Sequence, residues 1–215
     1  MKNLSNGNVQ AAAQTLYGEG DRYLSDHFPG CPVIPGVLLM ESFRQLWEKT
    51  IQNSERPREV IEYSDFRFSS FVRPNDLLDL CIQMQTSRDT AECTASVNGN
   101  RVVLGNLRTK PKQDMIAYRN VSVHELPHWT WQTNYQACES QQLATSHLSL
   151  PIDCSGNQHV PEPFIIESIA QTAVKLIRNR CPPKHLVALV KVRSAVILGR
   201  ARCKDLIKLK VTALV

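Results

Sequence analysis

No stretch of the 215 residues approaches the ~18 consecutive apolar residues that a membrane-crossing helix needs. The opening Met1-Lys-Asn-Leu-Ser-Asn-Gly-Asn also lacks the apolar centre of a secretory leader, so a soluble, cytoplasmic protein is expected. The 7 cysteines are scattered, with no Cys-x-x-Cys and no Cys/His pairing at ligand spacing. That pattern implies neither a disulfide framework nor a zinc site and fits a reducing compartment; no metal and no cofactor are expected. The net charge of +5 is not gathered into Lys/Arg runs or interleaved with aromatics, which make up only 7% of the chain. Nucleic acid is therefore a poor partner, and no membrane is expected either. Arg178, Arg180 and Lys184, or Arg200, Arg202, Lys204, Lys208 and Lys210, are as compatible with a patch facing an acidic partner as with a solvated face.

What the chain does have is concentrated between Asp26 and Gln45. Pro29, Gly30, Pro32 and Pro35 fix the backbone just after His27, and Gly36 opens an apolar run that lasts to Met40. Val37, Leu38, Met40, Phe43, Leu46, Trp47 and Ile51 are then apolar around most of a helix, which predicts a buried helix starting near Gly36. Glu41 and Gln45 sit one turn apart on that helix, a carboxyl and an amide on one face. A buried acid is costly without a partner; the bland alternative is that Glu41 escapes at the helix edge.

The residues His27-Phe-Pro-Gly-x-Pro-Val-x-Pro-Gly-Val-Leu-x-x-Glu41 resemble, position for position, the signature of FabZ-type 3-hydroxyacyl-[acyl-carrier-protein] dehydratases. These are hot-dog fold enzymes, in which an antiparallel sheet wraps a central helix. Arg73-Pro74-Asn75-Asp76, before the apolar run Leu77 to Met84, is similar to the strand-entry turn of that family. The resemblance extends over about residues 14–110.

Around this loop the pattern predicts a loose lead-in over residues 1–13 and a short element over 14–25, broken by Gly18 and Gly20. Strands are expected at Val60 to Phe71, Leu77 to Thr86, Ala91 to Val97 and Arg101 to Arg108, with Asn98-Gly99 as a two-residue hairpin turn. Lys110 to Asp114 reads as a linker. Beyond it the first half recurs: an offset of 126 carries Pro35 to Pro161, Glu41 to Glu167, Ser42 to Ser168, Gln45 to Gln171, Asn53 to Asn179 and Arg67 to Arg193. Phe164, Ile165, Ile166, Ile169, Ala173, Val174 and Ile177 rebuild a buried helix starting near Pro163, and Glu125-Leu-Pro-His-Trp129 resembles the opening of FabZ-type chains. The expected architecture is thus α+β, a double hot-dog with a first unit at 1–112 and a degenerate second unit at 113–215, the copy itself beginning near 119, packed as a pseudo-dimer. The second copy has lost its loop. Asp153 stands where a histidine should, His159 is out of register, and a strand from Leu206 to Val215 has no following hairpin, which leaves an incomplete second sheet.

Dehydrating a 3-hydroxyacyl thioester needs a base for the proton beside the carbonyl, an acid for the departing hydroxyl, and a donor for the thioester oxygen. A neutral histidine and a carboxyl kept protonated by an apolar pocket suit the first two roles near pH 7. In homodimers of the resembled family each site takes its histidine from one unit and its acid from the other. Carried onto this chain, that rule pairs His27 with Glu167, oriented by Gln171, while Gly36 donates to the thioester and Val33 and Pro35 line the substrate side. Gly36 would let the thioester come close by having no side chain. The reciprocal pair, Glu41 with Asp153, has no histidine and is expected to be inactive; Glu41 and Gln45 remain secondary candidates. The bland reading of Glu167 and Gln171 is a buried pair satisfied by backbone. His124, His128, His147 and His185 read as structural, Trp129 and Trp131 as core or lid, and Cys31 as no nucleophile. The implied partner is an acyl carrier protein in fatty-acid or polyketide-type biosynthesis, and a homodimer of chains is compatible with the pattern. The alternatives are a hot-dog thioesterase, an AfsA-like acyl-transfer enzyme (a family whose helix carries a similar Glu-x-x-Arg-Gln, matched here by Glu41-Ser-Phe-Arg44-Gln45), and a non-catalytic subunit that binds acyl carriers or completes a heterodimer.

Overall fold

Alternation of inward apolar and outward polar side chains builds most of this molecule, and a computed structural model describes it over residues 2–5, 8–20, 24, 27–28, 30–51, 57–85, 88–112, 119–120, 132–138, 143–148, 158–177, 190–199, 201–202 and 205–212. In chain order the elements are β1 (Lys2–Ser5), β2 (Asn8–Thr15), α1 (Gly36–Ile51), β3 (Arg58–Phe68), β4 (Leu78–Gln85), β5 (Thr90–Val97), β6 (Asn100–Pro111), β7 (Arg119–Asn120), β8 (Gln132–Cys138), β9 (Leu143–Leu148), β10 (Gln158–His159), α2 (Glu162–Ile177), β11 (Lys191–Val196) and β12 (Ile207–Thr212). The chain divides into two compact units, Met1–Ile116 with Leu189–Leu198, and Ala117–Ala188 with Gly199–Val215.

In the first unit a seven-stranded antiparallel sheet runs β1-β2-β4-β5-β6-β3-β11. Leu78, Leu80, Ile82 and Met84 of β4 point inward with Ala91, Cys93 and Ala95 of β5, while Asp79 and Gln83 face out. The Asn98-Gly99 turn has positive φ at both residues, 51° and 78°, as a tight hairpin twisted like its strands requires. Against the inner face lies α1, whose Val37, Leu38, Met40, Phe43 and Trp47 are all fully buried. A helix apolar on nearly every side can only be stable in this way.

One bulge on β3 decides which side chains meet that helix. Between the pairs Ser64–Asn106 and Arg67–Leu104 the strand carries one extra residue, with Asp65 left-handed at φ 51°. Because side chains alternate, one extra residue exchanges the faces. Phe66 and Phe68 therefore turn inward after Tyr63, and Arg67 turns out. Phe66 fits only because Gly105 lies beneath it: a Cβ there would sit 2.5 Å from the ring.

The second unit repeats the plan in shorter form. Its described strands form a three-stranded sheet, β12-β9-β8, and a two-stranded pair, β10-β7. The helix starts match closely, Leu38 N to Pro35 O and Phe164 N to Pro161 O both being 3.0 Å. Two prolines, Pro161 and Pro163, are tolerated because the first turn has no N–H bonds to lose. The turn Arg73-Pro-Asn-Asp76 recurs as Arg202-Cys-Lys-Asp205, with the arginine N–H on the aspartate at 2.7 and 2.8 Å. Its offset is 129, not 126, which hid it from a search at one spacing.

Two expectations need correction. Residues 2–15 are not a loose lead-in: β1 and β2 form a hairpin whose second strand pairs with β4 along its whole length, because Val9 and Ala11 continue the inward alternation. The linker starts later than Lys110, since β6 runs to Pro111 and Lys112 N bonds Pro57 O at 2.9 Å. β11 joins the first sheet beside β3, within the first unit. Asn53, His124, His128, Trp129, Trp131, Asp153, Asn179 and His185 lie outside the described residues. No helix among the described residues is long and apolar enough to cross a membrane.

Substituting Gly105 by Ala should force the Phe66 ring out of its seat and destabilise the protein by about 1–3 kcal/mol, the usual range for an overpacked core. Urea denaturation of the two proteins measures this; an unchanged midpoint would show that the ring moves freely.

Candidate active site

The loop before α1 is built from backbone bonds and two left-handed residues. Cys31 N meets Phe28 O at 2.9 Å and Val33 N meets His27 O at 3.4 Å, with φ of 66° at Phe28 and 79° at Gly30. A left-handed phenylalanine is strained by roughly 1–3 kcal/mol and persists only where its surroundings dictate it. Ile34 N then ties the loop to Val72 O at 2.8 Å. In the second unit Val160 N and Ala201 O make the matching bond at 3.0 Å.

His27 is half-buried against Phe28, their ring centroids 4.4 Å apart, and its Nδ1 is 2.9 Å from the Val33 carbonyl oxygen. A carbonyl only accepts, so Nδ1 carries the hydrogen and, in the neutral ring, Nε2 is left with a lone pair. Burial lowers the His27 pKa below its ordinary value, with the Val33 carbonyl pulling the other way. The ring is thus held as a neutral base. Val33 and Pro35 are both buried, and Gly36, the first residue of α1, has an N–H that meets no acceptor among the described residues. An unpaired N–H at a helix start is a ready site for a developing negative charge. No side chain would fit at Gly36, since the Phe68 ring lies within 2.8 Å of where a Cβ would be.

Glu41 and Gln45 are neighbours as expected, Gln45 Nε2 donating to Glu41 Oε1 at 3.0 Å, but the group that matters to Glu41 is Arg44. Arg44 Nη2 and Nε grip the two carboxylate oxygens at 2.5 and 2.7 Å, and Nη1 reaches Glu48 at 2.5 Å. Burial works against the arginine's charge, yet the bonds and charges of Glu41 and Glu48 outweigh it and hold its pKa above the usual value. Glu41 does not escape at the helix edge: it is 2% exposed and fully paired.

Glu167, one 126-residue repeat later, is 6% exposed and has no such cation, because Ala170 stands where Arg44 does. Gln171 Nε2 donates to its Oε1 at 3.2 Å. Burial raises the Glu167 carboxyl to about 7, against the lowering effect of that one amide. Two glutamates in matching positions thus have opposite characters, an ion-paired carboxylate and a carboxylic acid poised near neutrality. Two more exchanges mark the second copy. Glu162 occupies the place of Gly36, putting a carboxyl at the helix start, and buried His159 occupies that of Val33. His147 lies on β9, opposite Lys208 of β12 and Thr133 of β8. No three His, Cys, Asp or Glu side chains among the described residues converge to hold a metal ion.

Sequence reasoning had Arg44 only as part of a likeness and missed its pairing, although Glu-x-x-Arg on a helix places the two side chains together. Phe68 was missed because the bulge that turns it inward leaves no mark in the apolar pattern.

Comparison with known proteins agrees with the loop. Residues 4–105 match the ApeI-like family, described as ApeI dehydratase. The 3-hydroxyacyl-[acyl-carrier-protein] dehydratase FabZ of Levilactobacillus brevis is 38% identical over 84 residues, 36% of this chain and 57% of that protein. The FabZ of Caldicellulosiruptor saccharolyticus is 33% identical over 92 residues, covering 40% and 66%. The chain thus spans little more than half the length of the first of these relatives. The dehydratase domain from the CurJ module of the curacin polyketide synthase superimposes with a TM-score of 0.61 at 10% identity, over 97% of this chain and 80% of that one. The dehydratase domain of PpsC from Mycobacterium tuberculosis gives 0.60 at 10%, over 93% and 80%. The fold class is therefore α+β, double hot-dog, and the likeness to FabZ-type dehydratases lies in the first unit.

A carboxyl that titrates near 7 when folded and near 4.5 when unfolded binds an extra proton in the folded state between those values. Stability should therefore be full below about pH 4.5 and fall as pH rises to about 7, by on the order of 3 kcal/mol, after which the contribution is flat. Thermal melts of wild type and Glu167→Gln across this window test it: the variant should lose that part of the pH dependence, and identical profiles would count against the assignment.

Proposed function

We propose that this protein dehydrates 3-hydroxyacyl thioesters carried on an acyl carrier protein to trans-2-enoyl thioesters, in fatty-acid or polyketide-type biosynthesis, and that it does so in the cytoplasm. The observation that carries the reading is the Nδ1–H of His27 on the Val33 carbonyl, which leaves Nε2 with its lone pair, in the same short loop that ends at a Gly36 N–H with no acceptor among the described residues. His27 Nε2 takes the proton from C2; the electron pair of that bond forms the C2–C3 double bond; the C3–O bond breaks. Glu167 gives its proton to the departing oxygen, which leaves as water. The Gly36 N–H holds the thioester oxygen as charge builds on it, without reorganisation. Gln171 orients the acid, Val33 fixes the base in one tautomer, and Pro35 fixes the start of the helix.

Bringing His27 to Glu167 requires the two copies to pack as a pseudo-dimer, each loop towards the other copy's helix. This arrangement is inferred from the resembled family, and the register of β3 with β11 supports it. That register pairs Phe66 with Val192, residues that the 126 offset makes equivalent, and is symmetric about them, as antiparallel pairing of two equivalent strands around a twofold would be. The arginine on Glu41 supports a single site per chain, since an ion-paired carboxylate has no proton to give.

Incubating the protein with a 3-hydroxyacyl carrier protein and following its intact mass should show loss of water. Release of the acyl group would favour a thioesterase, its appearance on another acceptor an acyl-transfer enzyme, and no change a binding subunit. Glu167→Gln and His27→Ala should each lower turnover by roughly 10²- to 10⁴-fold with the fold kept. Glu41→Gln should keep much of the activity. An inactive Glu41 variant beside an active Glu167 variant would overturn the assignment.

A further inference from the structure

We propose that the open edge of β12 is a docking site for an antiparallel strand of a partner protein, apolar on one face and acidic on the other. The second Arg-x-x-Asp turn, at its offset of 129, sets Ile207–Thr212 against residues 78–83 of β4. The alternation agrees: Ile207, Leu209 and Val211 take the places of Leu78, Leu80 and Ile82, while Lys208, Lys210 and Thr212 take those of Asp79, Cys81 and Gln83. The pairing agrees as well. Ile207 meets Leu148, the last residue of β9, as Leu78 meets Thr15, the last of β2, and the two registers continue to Thr212–Leu143 and Gln83–Gln10. β8 then lies on β9 as β1 lies on β2. On the other side the correspondence stops. There β4 is covered by β5, paired from Leu78–Val97 to Met84–Ala91, whereas β12 has no strand on that edge among the described residues. The N-terminal hairpin does not supply one, because β2 is committed to β4.

Burial records the missing neighbour. Leu78 and Ile82 of β4 are completely buried, but Ile207 and Val211, on the same face of β12 as the buried Leu209, are only half-buried. A strand edge with unmet N–H and C=O groups is a template for another strand, and these side chains add apolar surface for it to cover. Its inward residues must be small, as Ala91, Cys93 and Ala95 of β5 are beside β4. Charge then decides which strand fits. Lys208 and Lys210 are exposed on the outer face, with His147 opposite Lys208, and neither lysine makes an ion pair among the described residues. A second β12 would set lysine against lysine across the new pair, which opposes self-pairing, whereas carboxylates there would be favourable cross-strand partners. Lysines that guard an edge against copies of itself thus admit an acidic strand.

The probe is a synthetic peptide with the sequence of β5, Thr90–Val97, carrying Thr94→Glu and Ser96→Glu. Those positions face Cys81 and Asp79 in the first unit, and so Lys210 and Lys208 here. Added to the full chain under reducing conditions, the peptide should bind and slow amide hydrogen exchange at residues 207–212. A matched peptide with lysine at both positions should bind roughly 2- to 30-fold more weakly, as expected for two cross-strand pairs. The double variant Lys208→Glu/Lys210→Glu, which changes only exposed side chains, should reverse that order. Exchange left unchanged by the acidic peptide at millimolar concentration, or equal binding of both peptides by both proteins, would overturn the inference. So would concentration-dependent dimerisation of the free protein that protects residues 207–212, which would assign the edge to a second copy.

Discussion

A carboxyl on a helix that a sheet has closed over must be neutralised, by a cation or by a proton, since an uncompensated buried charge costs several kcal/mol. The two copies in this chain meet that constraint in the two available ways. Glu41 keeps its charge and takes Arg44, whose guanidinium fits both oxygens. Glu167 has no cation and one amide as partners among the described residues, and holds its proton up to about 7. One substitution, arginine for alanine three residues on, separates a structural ion pair from a group suited to acid catalysis. The helices are otherwise alike, down to the Ser42 and Ser168 hydroxyls that bond Leu38 O and Phe164 O at 3.1 and 2.9 Å.

The loop answers a different demand. An imidazole free to turn could present either nitrogen and either tautomer, so a base that is ready at all times needs one nitrogen committed. Val33 does this, and the strained turn at Phe28 and Gly30 brings Val33 back within reach of the ring six residues earlier.

Much of this was legible beforehand because it rests on local rules. Positive φ at Asn98-Gly99, burial around α1 and the recurrence of Glu, Ser and Gln at one offset follow from turn chemistry, helical periodicity and duplication. What was missed depends on long-range register. The extra residue at Asp65 decides whether Arg67 or Phe68 faces the helix, and nothing in residues 58–68 reveals it without the partner strand β6. The β1–β2 hairpin was passed over for a similar reason, since Gln10, Ala11, Ala12 and Ala13 are weak strand formers that become a strand only because β4 offers an edge. The 129-residue offset of the second Arg-x-x-Asp turn was hidden by a three-residue shift after α2.

Duplication explains why the copies could diverge so unevenly. If a site draws its base from one copy and its acid from the other, as we propose, each copy is constrained only in the part it contributes. The first must keep the loop, the glycine at the helix start and the aromatic residue that covers it; its own acid is free to take another partner, and Glu41 is held by Arg44. The second must keep a buried carboxyl without a cation and the amide that donates to it. Its helix start is free to take Glu162, which a negative substrate oxygen would not tolerate but a helix N-terminus favours. The pattern of loss and retention along the chain is then the one expected of a division of labour. General decay of the second copy would not have spared Glu167 and Gln171 while erasing the residues at the positions of His27, Gly36 and Phe68.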